Sequence, residues 1–221
     1  MIEVIPTKPI PDQKTGTSGL RRKVVLVKGT PHYIDNWVQS LVNALGDLTG
    51  TTFVLGGDGR YLNDMATISV LEIFAANNVS RLVVGAKGLL STPACSALIR
   101  ERQAFGGVIM TASHNPAGPD GDWGIKFNAS NGEPAPESLT SKIYLETTRI
   151  SEIKKLKLNL GPSDLATVGT KEFPTHNGGK FVLEIVDPVE TYLCLLREIF
   201  DFEKLKKFCV GKNFRFDGMH A

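Results

Sequence analysis

The 221-residue chain is long enough to bury the core of one large domain, or of one domain and part of a second, and its 42% hydrophobic and 22% charged residues lie near the averages of soluble proteins. Its 25 basic and 23 acidic residues nearly balance and form no clustered basic stripe, so we expect no nucleic-acid partner. The three cysteines have neither metal-binding nor disulfide spacing, the start lacks a signal-peptide pattern, and no apolar run reaches the about 18 residues of a membrane span, which predicts a cytoplasmic protein with no membrane span.

Short apolar strands alternate with amphipathic helices along most of the chain. The first 19 residues hold three prolines and predict an extended arm that ends in a turn-rich loop. The elements predicted after it, in chain order, are a β-rich run at 23–27, a helix at 34–45, a strand at 53–55, a helix at 64–77, a strand at 82–84, a helix at 92–103, strands at 108–110 and 124–128, and a helix at 136–150. This order predicts an α/β fold with βαβ units and a largely parallel sheet.

The last third of the chain is less regular. Residues 151–180 are polar and punctuated by glycine, and their pattern supports no assignment beyond surface structure. A helix begins at Asp187-Pro188, and residues 214–221 predict a strand and the turn after it. Because a lone terminal strand leaves a sheet unfinished, we interpret the chain as a fragment in which residues 1–186 form one domain and residues 187–221 form a connecting helix and the truncated start of a second.

A polar loop follows the strand predicted at 108–110 and contains Thr-Ala-Ser-His-Asn-Pro from Thr111. Ligands of parallel α/β sheets bind beyond the carboxyl ends of the strands, which is where this loop is expected. The small neighbour Ala112 leaves the Ser113 hydroxyl accessible to accept a phosphoryl group, and backbone N–H groups of such a turn can bind an anion. On composition alone, an ordinary hydrogen-bonded turn is favoured over a catalytic loop.

Three cations could neutralise a phosphoryl group on this loop: Arg21, Arg22 and Lys126. The two arginines follow Thr17 and Ser18 in a glycine-containing segment that could wrap an anion or form a solvated basic turn. Lys126 belongs to the strand predicted at 124–128, where it could face the site or water.

His114 directly follows Ser113, and neighbours in sequence rarely have the geometry of a nucleophile and its base. A positioning or phosphate-contacting role is therefore favoured for His114.

Three further motifs have structural explanations. Asp120-Gly-Asp122 has too few carboxylates for a calcium loop and suits a turn. Gly56-Gly-Asp-Gly-Arg60 could bind phosphate at a helix start, but it lacks the established phosphate-loop patterns and is interpreted as a tight strand-to-helix turn. Ser91 or Thr92 is expected to cap the next helix rather than to contact a ligand.

Five segments occur together in one order and, as a set, resemble eukaryotic-type phosphoglucomutase of the phosphohexomutase superfamily. They are Thr-Ser-Gly-Leu-Arg from Thr17, Gly-Gly-Asp-Gly-Arg from Gly56, Leu-Ser-Thr-Pro-Ala from Leu90, Thr-Ala-Ser-His-Asn-Pro from Thr111 and Gly-Ile-Lys-Phe-Asn from Gly124. The similarity runs from about residue 16 to the end, and residues 150–180 match poorly. It implies the first domain of that superfamily, with a mixed, largely parallel sheet sandwiched by helices, plus the start of a similar second domain.

The resemblance implies interconversion of glucose 1-phosphate and glucose 6-phosphate. Ser113 would be the catalytic phosphoserine, with glucose 1,6-bisphosphate as intermediate and activator and a hexose phosphate as substrate. Lys126 would carry a proton and His114 would lie at the transferring group, while Arg21, Thr17, Ser18 and Asn115 would bind phosphate.

The family's Mg²⁺ would be bound through a phosphate oxygen on Ser113, but the other aspartate ligands and the second to fourth domains of the family are absent from the sequence. We therefore expect the 221-residue chain alone to be inactive. The alternatives are a parafusin-like or junctional scaffold protein of the same family and a mutase acting on mannose phosphates. Retention of Ser-His-Asn-Pro favours the enzyme.

Overall fold

A computed structural model describes residues 1–16 and 18–217 of the chain. Its elements, in chain order, are β1 (Ile2–Pro6), β2 (Leu20–Lys23), α1 (Val24–Gly29), α2 (Tyr33–Leu45), β3 (Thr52–Gly57), α3 (Asn63–Ala76), β4 (Arg81–Leu89), α4 (Thr92–Glu101), β5 (Gly106–Met110), β6 (Asp122–Ala129), α5 (Glu137–Thr147), β7 (Glu152–Leu156), α6 (Pro162–Ala166), β8 (Gly169–Pro174), β9 (Lys180–Val186), α7 (Glu190–Ile199) and α8 (Phe202–Cys209).

Within these described residues, seven strands form a central sheet in the order β2-β6-β5-β3-β4-β9-β8. The four strands β5, β3, β4 and β9 are parallel to one another, whereas β6 and β2 at one edge and β8 at the other are joined to them by antiparallel pairing. A separate antiparallel ribbon of β1 and β7 lies against α2 and α3. The predicted mixed, largely parallel sheet is confirmed.

Helices cover both faces of the sheet because its central strands are apolar on both sides. Along β3, Phe53 and Leu55 belong to the larger core, to which α2, α3 and α5 contribute, and Val54 points into a smaller core beneath α4. The same alternation occurs in β5, where Val108 and Met110 lie on the first face and Ile109 on the second. The expected sandwich of helices is therefore present.

The helices predicted at 34–45, 64–77, 92–103 and 136–150 correspond to α2, α3, α4 and α5, with boundaries that differ by a few residues. The Ser91 cap expected for α4 is also confirmed, since its hydroxyl accepts a hydrogen bond of 3.3 Å from the amide of Ala94. None of the helices in the described ranges has both the length and the apolar composition needed to cross a bilayer.

Two predicted strands are wrong. In the run at 23–27, the strand ends at Lys23 and Val24 begins α1, whose buried residues Val24 and Val27 have helical spacing. At 214–217 the backbone has no regular structure, and the side chain of Phe216 is 96% exposed. The rest of that predicted strand and turn, 218–221, lies outside the described residues.

Residues 151–180, for which the sequence supported no assignment, contain β7, α6 and β8. The following strand, β9, lies between β4 and the edge strand β8 and has alternating burial, with Phe181, Leu183 and Ile185 buried. Within this segment, β8 therefore extends the central sheet beyond β9, whereas β7 pairs with β1 in the separate ribbon.

Candidate functional site

The Ser113 loop, residues 111–121, connects β5 to the neighbouring antiparallel strand β6. Ser113 has a left-handed backbone with φ of 58°, which costs a residue with a side chain about 1–2 kcal/mol and requires compensating contacts. One contact is local: the Ser113 amide donates a hydrogen bond of 2.9 Å to Thr111 Oγ1. The side chains of Ser113 and His114 remain exposed, so the hydroxyl is accessible from solvent.

Arg21 and Lys126 lie on the same face of the sheet edge beside this loop. Arg21 is opposite Gly124 in the pairing of β2 with β6, and residues directly opposite point to the same side. Lys126 follows Gly124 by two residues and therefore also points to that side. A Cβ built on Gly124 would lie 2.4 Å from the carbonyl oxygen of Thr111, so the base of the Ser113 loop rests on this face.

The loop that contains Ser18 packs against the same strand. Gly19 has φ of 89°, and a Cβ at this position would lie 2.5 Å from the carbonyl oxygen of Ile125 and 2.6 Å from Lys126 Cβ. Only glycine allows this approach. Ser18 is exposed beside it, whereas Thr17 lies outside the described residues.

The three cations considered in the sequence have different environments. Arg22 is occupied by the arm, since its Nε donates to Asp12 Oδ2 at 2.6 Å. Arg21 Nε is buried and has no hydrogen-bond partner among the described residues. Because buried polar groups normally have such a partner, this guanidinium is suited to bind an anion. Of the two arginines, Arg21 is thus the one available to a phosphoryl group.

Lys126 is half-buried, and burial lowers the pKa of its amine because the charged form is poorly solvated there. The charge of Arg21 lowers the pKa further, and the thiol of Cys95 acts in the opposite direction. Cys95 itself is fully buried, and burial raises the pKa of its thiol to about 12. Lys126 is therefore more easily deprotonated than a lysine in water, as a proton carrier requires.

His114 and Asn115 have weaker geometric support for a direct role. His114 Nδ1 lies 3.4 Å from Ser113 Oγ, beyond the usual distance of a strong hydrogen bond to a hydroxyl. The amide nitrogen of Asn115 donates to Asp122 Oδ2 at 2.9 Å and so helps to hold the loop together. Asp122 also pairs with Lys23 at 3.0 Å, and the expected turn at 120–122 is confirmed.

Sequence reasoning missed two residues at this loop, Asp58 and Arg60, because they were assigned to a tight turn after β3. Burial by itself would raise the pKa of Asp58, but hydrogen bonds from Arg60 and Thr111 outweigh it and hold the pKa below its ordinary value of 3.8. Arg60 is 8% exposed and reaches carbonyl oxygens of the Ser113 loop. The only signal in the sequence was that their motif accompanied the Ser113 motif.

The candidate site is an open surface rather than a closed pocket. A cavity of about 820 Å³ adjoins Arg60 on another side, and neither Ser113 nor Lys126 lines it. Among residues 1–16 and 18–217, no group of three or more His, Cys, Asp or Glu side chains could hold a metal ion. The described residues do not by themselves fit a complete Mg²⁺ site.

Comparisons with known proteins agree with this geometry. Residues 12–154 match the family described as phosphoglucomutase/phosphomannomutase, alpha/beta/alpha domain I. All of the chain aligns with phosphoglucomutase 1, chloroplastic, from Marchantia polymorpha at 51% identity, and with phosphoglucomutase-1 from Oryctolagus cuniculus at 46% identity. The chain spans 33% and 40% of the lengths of these two relatives.

A solved structure, the open form of the exocytosis-sensitive phosphoprotein pp63/parafusin (phosphoglucomutase) from Paramecium, superimposes with a TM-score of 0.93 at 41% identity. The superposition covers 99% of this chain and 41% of that one. A phosphomannomutase structure from Thermus thermophilus, at 22% identity and a TM-score of 0.63, shares the fold.

Proposed function

Because this chain belongs to the phosphoglucomutase/phosphomannomutase family, we propose that it provides the serine side of a phosphoglucomutase active site. The protein would interconvert glucose 1-phosphate and glucose 6-phosphate through a phosphoserine at Ser113. One observation carries this proposal: the exposed Ser113 hydroxyl stands on a loop whose base rests on the sheet face that bears Arg21 and Lys126.

In the proposed reaction, the phosphoryl group moves from Ser113 Oγ to a free hydroxyl of a hexose monophosphate. The bond between phosphorus and the serine oxygen breaks, a bond between phosphorus and the sugar oxygen forms, and the product is glucose 1,6-bisphosphate. The proton of the sugar hydroxyl passes to the serine oxygen, and Lys126 carries it because its lowered pKa makes the amine easier to deprotonate. After the bisphosphate reorients, the reverse transfer regenerates the phosphoserine.

Binding of the phosphoryl group is assigned to Arg21, Ser18, Thr17, His114 and Asn115. Arg21 contributes most in this proposal, since its buried Nε has no hydrogen-bond partner among the described residues and phosphoryl transfer depends chiefly on alignment and charge neutralisation. His114 is exposed next to the Ser113 hydroxyl, and Ser18 is exposed beside Gly19, which packs against Lys126.

The proposed Mg²⁺ would take one ligand from this chain, a phosphate oxygen on Ser113. The described residues offer no carboxylate cluster to complete its coordination, so the other ligands must come from elsewhere in the active protein. For the same reason we expect no sustained turnover by a protein of these 221 residues, and sustained interconversion of the two glucose phosphates would contradict this expectation.

The proposed division of the chain places its first domain at 1–186 and a connecting helix with the start of a second domain at 187–221. Cytoplasmic location remains a proposal, and several relatives are named as chloroplastic. The scaffold alternative receives no separate support, because the Paramecium relative is described both as an exocytosis-sensitive phosphoprotein and as a phosphoglucomutase.

The test is phosphoryl transfer to Ser113. The full-length protein that contains this chain is incubated with Mg²⁺ and glucose 1,6-bisphosphate labelled with ³²P, and the labelled residue is identified by peptide mass spectrometry. We expect label on Ser113 in the wild type, none in Ser113→Ala, and wild-type labelling in Ser130→Ala, which changes an exposed serine outside the site. Label on another residue, or label that persists in Ser113→Ala, would disprove the assignment. Mannose 1,6-bisphosphate in a parallel reaction reports the sugar preference.

A further inference from the structure

We infer that Arg60 is a positioning residue for Ser113: with Asp58 and Thr111 it holds the serine backbone in the left-handed conformation that displays the hydroxyl. This inference rests on the proposed function of Ser113. It concerns a side chain whose hydrogen-bond partners are Asp58 and backbone carbonyl oxygens.

The five N–H donors of the buried Arg60 guanidinium all face acceptors. Nε donates to Asp58 Oδ2 at 3.0 Å, and Nη2 donates to Asp58 Oδ2 at 2.9 Å and to the Ser113 carbonyl oxygen at 3.2 Å. Nη1 donates to the carbonyl oxygens of Asp122 at 2.7 Å and Asn115 at 3.5 Å. One planar group therefore connects the turn after β3 with the Ser113 loop and with the first residue of β6.

The other side of the Ser113 backbone is held by the same network. Asp58 Oδ2 accepts a hydrogen bond of 2.7 Å from Thr111 Oγ1, and Thr111 Oγ1 accepts one of 2.9 Å from the Ser113 amide. The Ser113 N–H is thus connected through Thr111 and Asp58 to the arginine that binds the Ser113 carbonyl. Both peptide groups that define the φ of 58° are fixed, while the side chain makes no contact with the network.

Asp58 neutralises Arg60, so the arginine contributes little net attraction for a phosphate; its role is geometric. A lysine cannot reproduce that role, because an ammonium group lacks the planar fork of donors that reaches a carboxylate and several carbonyl oxygens together. Arg60→Lys would keep the positive charge, but it would lose the set of hydrogen bonds that positions the Ser113 backbone.

The test uses the ¹⁵N-labelled 221-residue chain as wild type, Arg60→Lys and Arg102→Lys. Arg102 is the matched control, an arginine paired with Glu184 away from the loop. Amide exchange of Ser113 is measured by NMR on this chain. Labelling of Ser113 by glucose 1,6-bisphosphate is measured in the full-length protein with the same substitutions, as a maximal rate and a half-saturating concentration.

In Arg60→Lys, we expect Ser113 amide exchange to rise at least about tenfold while amides of β3 and β5 keep their protection. The maximal labelling rate should fall about 10²-fold, because misplacement of a reacting group costs rate, and the half-saturating concentration should change much less. Arg102→Lys should match the wild type in every measurement. Wild-type Ser113 exchange and labelling in folded Arg60→Lys would overturn the inference.

If Arg60→Lys does not fold, variants of Thr111 test the inference, because Thr111 connects Asp58 to the Ser113 amide. Thr111→Val removes the hydroxyl without changing the shape of the side chain, and Thr111→Ser retains the hydroxyl. Faster Ser113 exchange in Thr111→Val that is rescued in Thr111→Ser supports the inference, and equal exchange in the two variants overturns it. If the wild-type full-length protein takes up no label, the proposed function of Ser113 fails, and the exchange measurements still decide how its backbone is held.

Discussion

The apolar side chains of β3 and α8 have opposite environments, although both follow a regular pattern. Phe53 of β3 is fully buried, with ring centroids of Phe74 and Phe105 at 4.9 and 5.3 Å. In α8, Phe202, Leu205 and Phe208 share one face at helical spacing and are 42%, 44% and 62% exposed. A regular apolar pattern thus occurs both in a covered and in an uncovered element, and it stabilises the protein only where another surface covers it.

Among the variants that test this comparison of β3 with α8, Phe53→Ala is expected to have the largest effect. Removing a fully buried ring leaves a cavity among aromatic neighbours, so the free energy of unfolding should fall by about 3–5 kcal/mol. Urea denaturation followed by circular dichroism measures the change. A loss below about 1 kcal/mol would show that β3 is not the centre of the core.

Gly124→Ala tests whether the Ser113 loop shares the close packing of the sheet. A Cβ there would lie 2.4 Å from the Thr111 carbonyl oxygen, and we expect a loss of about 1–3 kcal/mol because backbone must move. Gly29→Ala is the control, since its Cβ would meet nothing within 4 Å. The two variants are compared by the same denaturation experiment, and equal stabilities would contradict the close packing.

Lys126→Met tests whether the charge of the Lys126 amine lowers the stability of the folded chain. Because the pKa of Lys126 is lowered in the folded chain, its charged form is disfavoured there, and removing it should raise stability at pH 7 by less than about 1 kcal/mol, since solvent screens the half-buried amine. The wild type regains this difference as pH rises through the folded pKa towards the ordinary value of 10.5. Denaturation of both proteins between pH 7 and 10.5 should show the difference shrinking, and a constant or growing difference would refute this account. Labelling of Ser113 should fall about 10²-fold.

Phe208→Ala is the counterpart of Phe53→Ala and should have the smallest effect. The ring is 62% exposed, so the free energy of unfolding should change by no more than about 0.5 kcal/mol. A loss above about 1 kcal/mol in the same denaturation experiment would break the comparison, because it would mean that this face of α8 is covered in solution.

The parts of the fold that depend on local pattern could be predicted from the sequence. Trp37 and Leu41 lie at helical spacing within α2, and the apolar runs of β3 and β5 have the composition of buried strands. The run at 23–27 was misassigned because valine and leucine suit strands. The end of β2 is instead determined by β6 and by Gly121, whose carbonyl oxygen accepts the Val24 amide at 3.0 Å.

In the candidate site, too, local motifs could be predicted from the sequence, whereas contacts between distant residues could not. Ser113, Arg21 and Lys126 could be proposed from motifs, but their placement on one face depends on the register that sets Arg21 opposite Gly124. Arg60 could not be recognised in the same way, because its partners in the loop are backbone carbonyls 53 and 62 residues away. Every residue has a carbonyl, so such acceptors leave no signature in the sequence.

The antiparallel pairing of β5 with β6 also has an evolutionary consequence. Because Ile109 of β5 pairs with Lys126 of β6, the connection between these two residues begins and ends at the spacing of adjacent strands, about 5 Å, whatever the loop contains. Insertions or deletions between Pro116 and Gly121 would alter the reach of the loop without shifting a strand. Selection could therefore adjust how far the serine extends towards its substrate while the sheet beneath it stays unchanged.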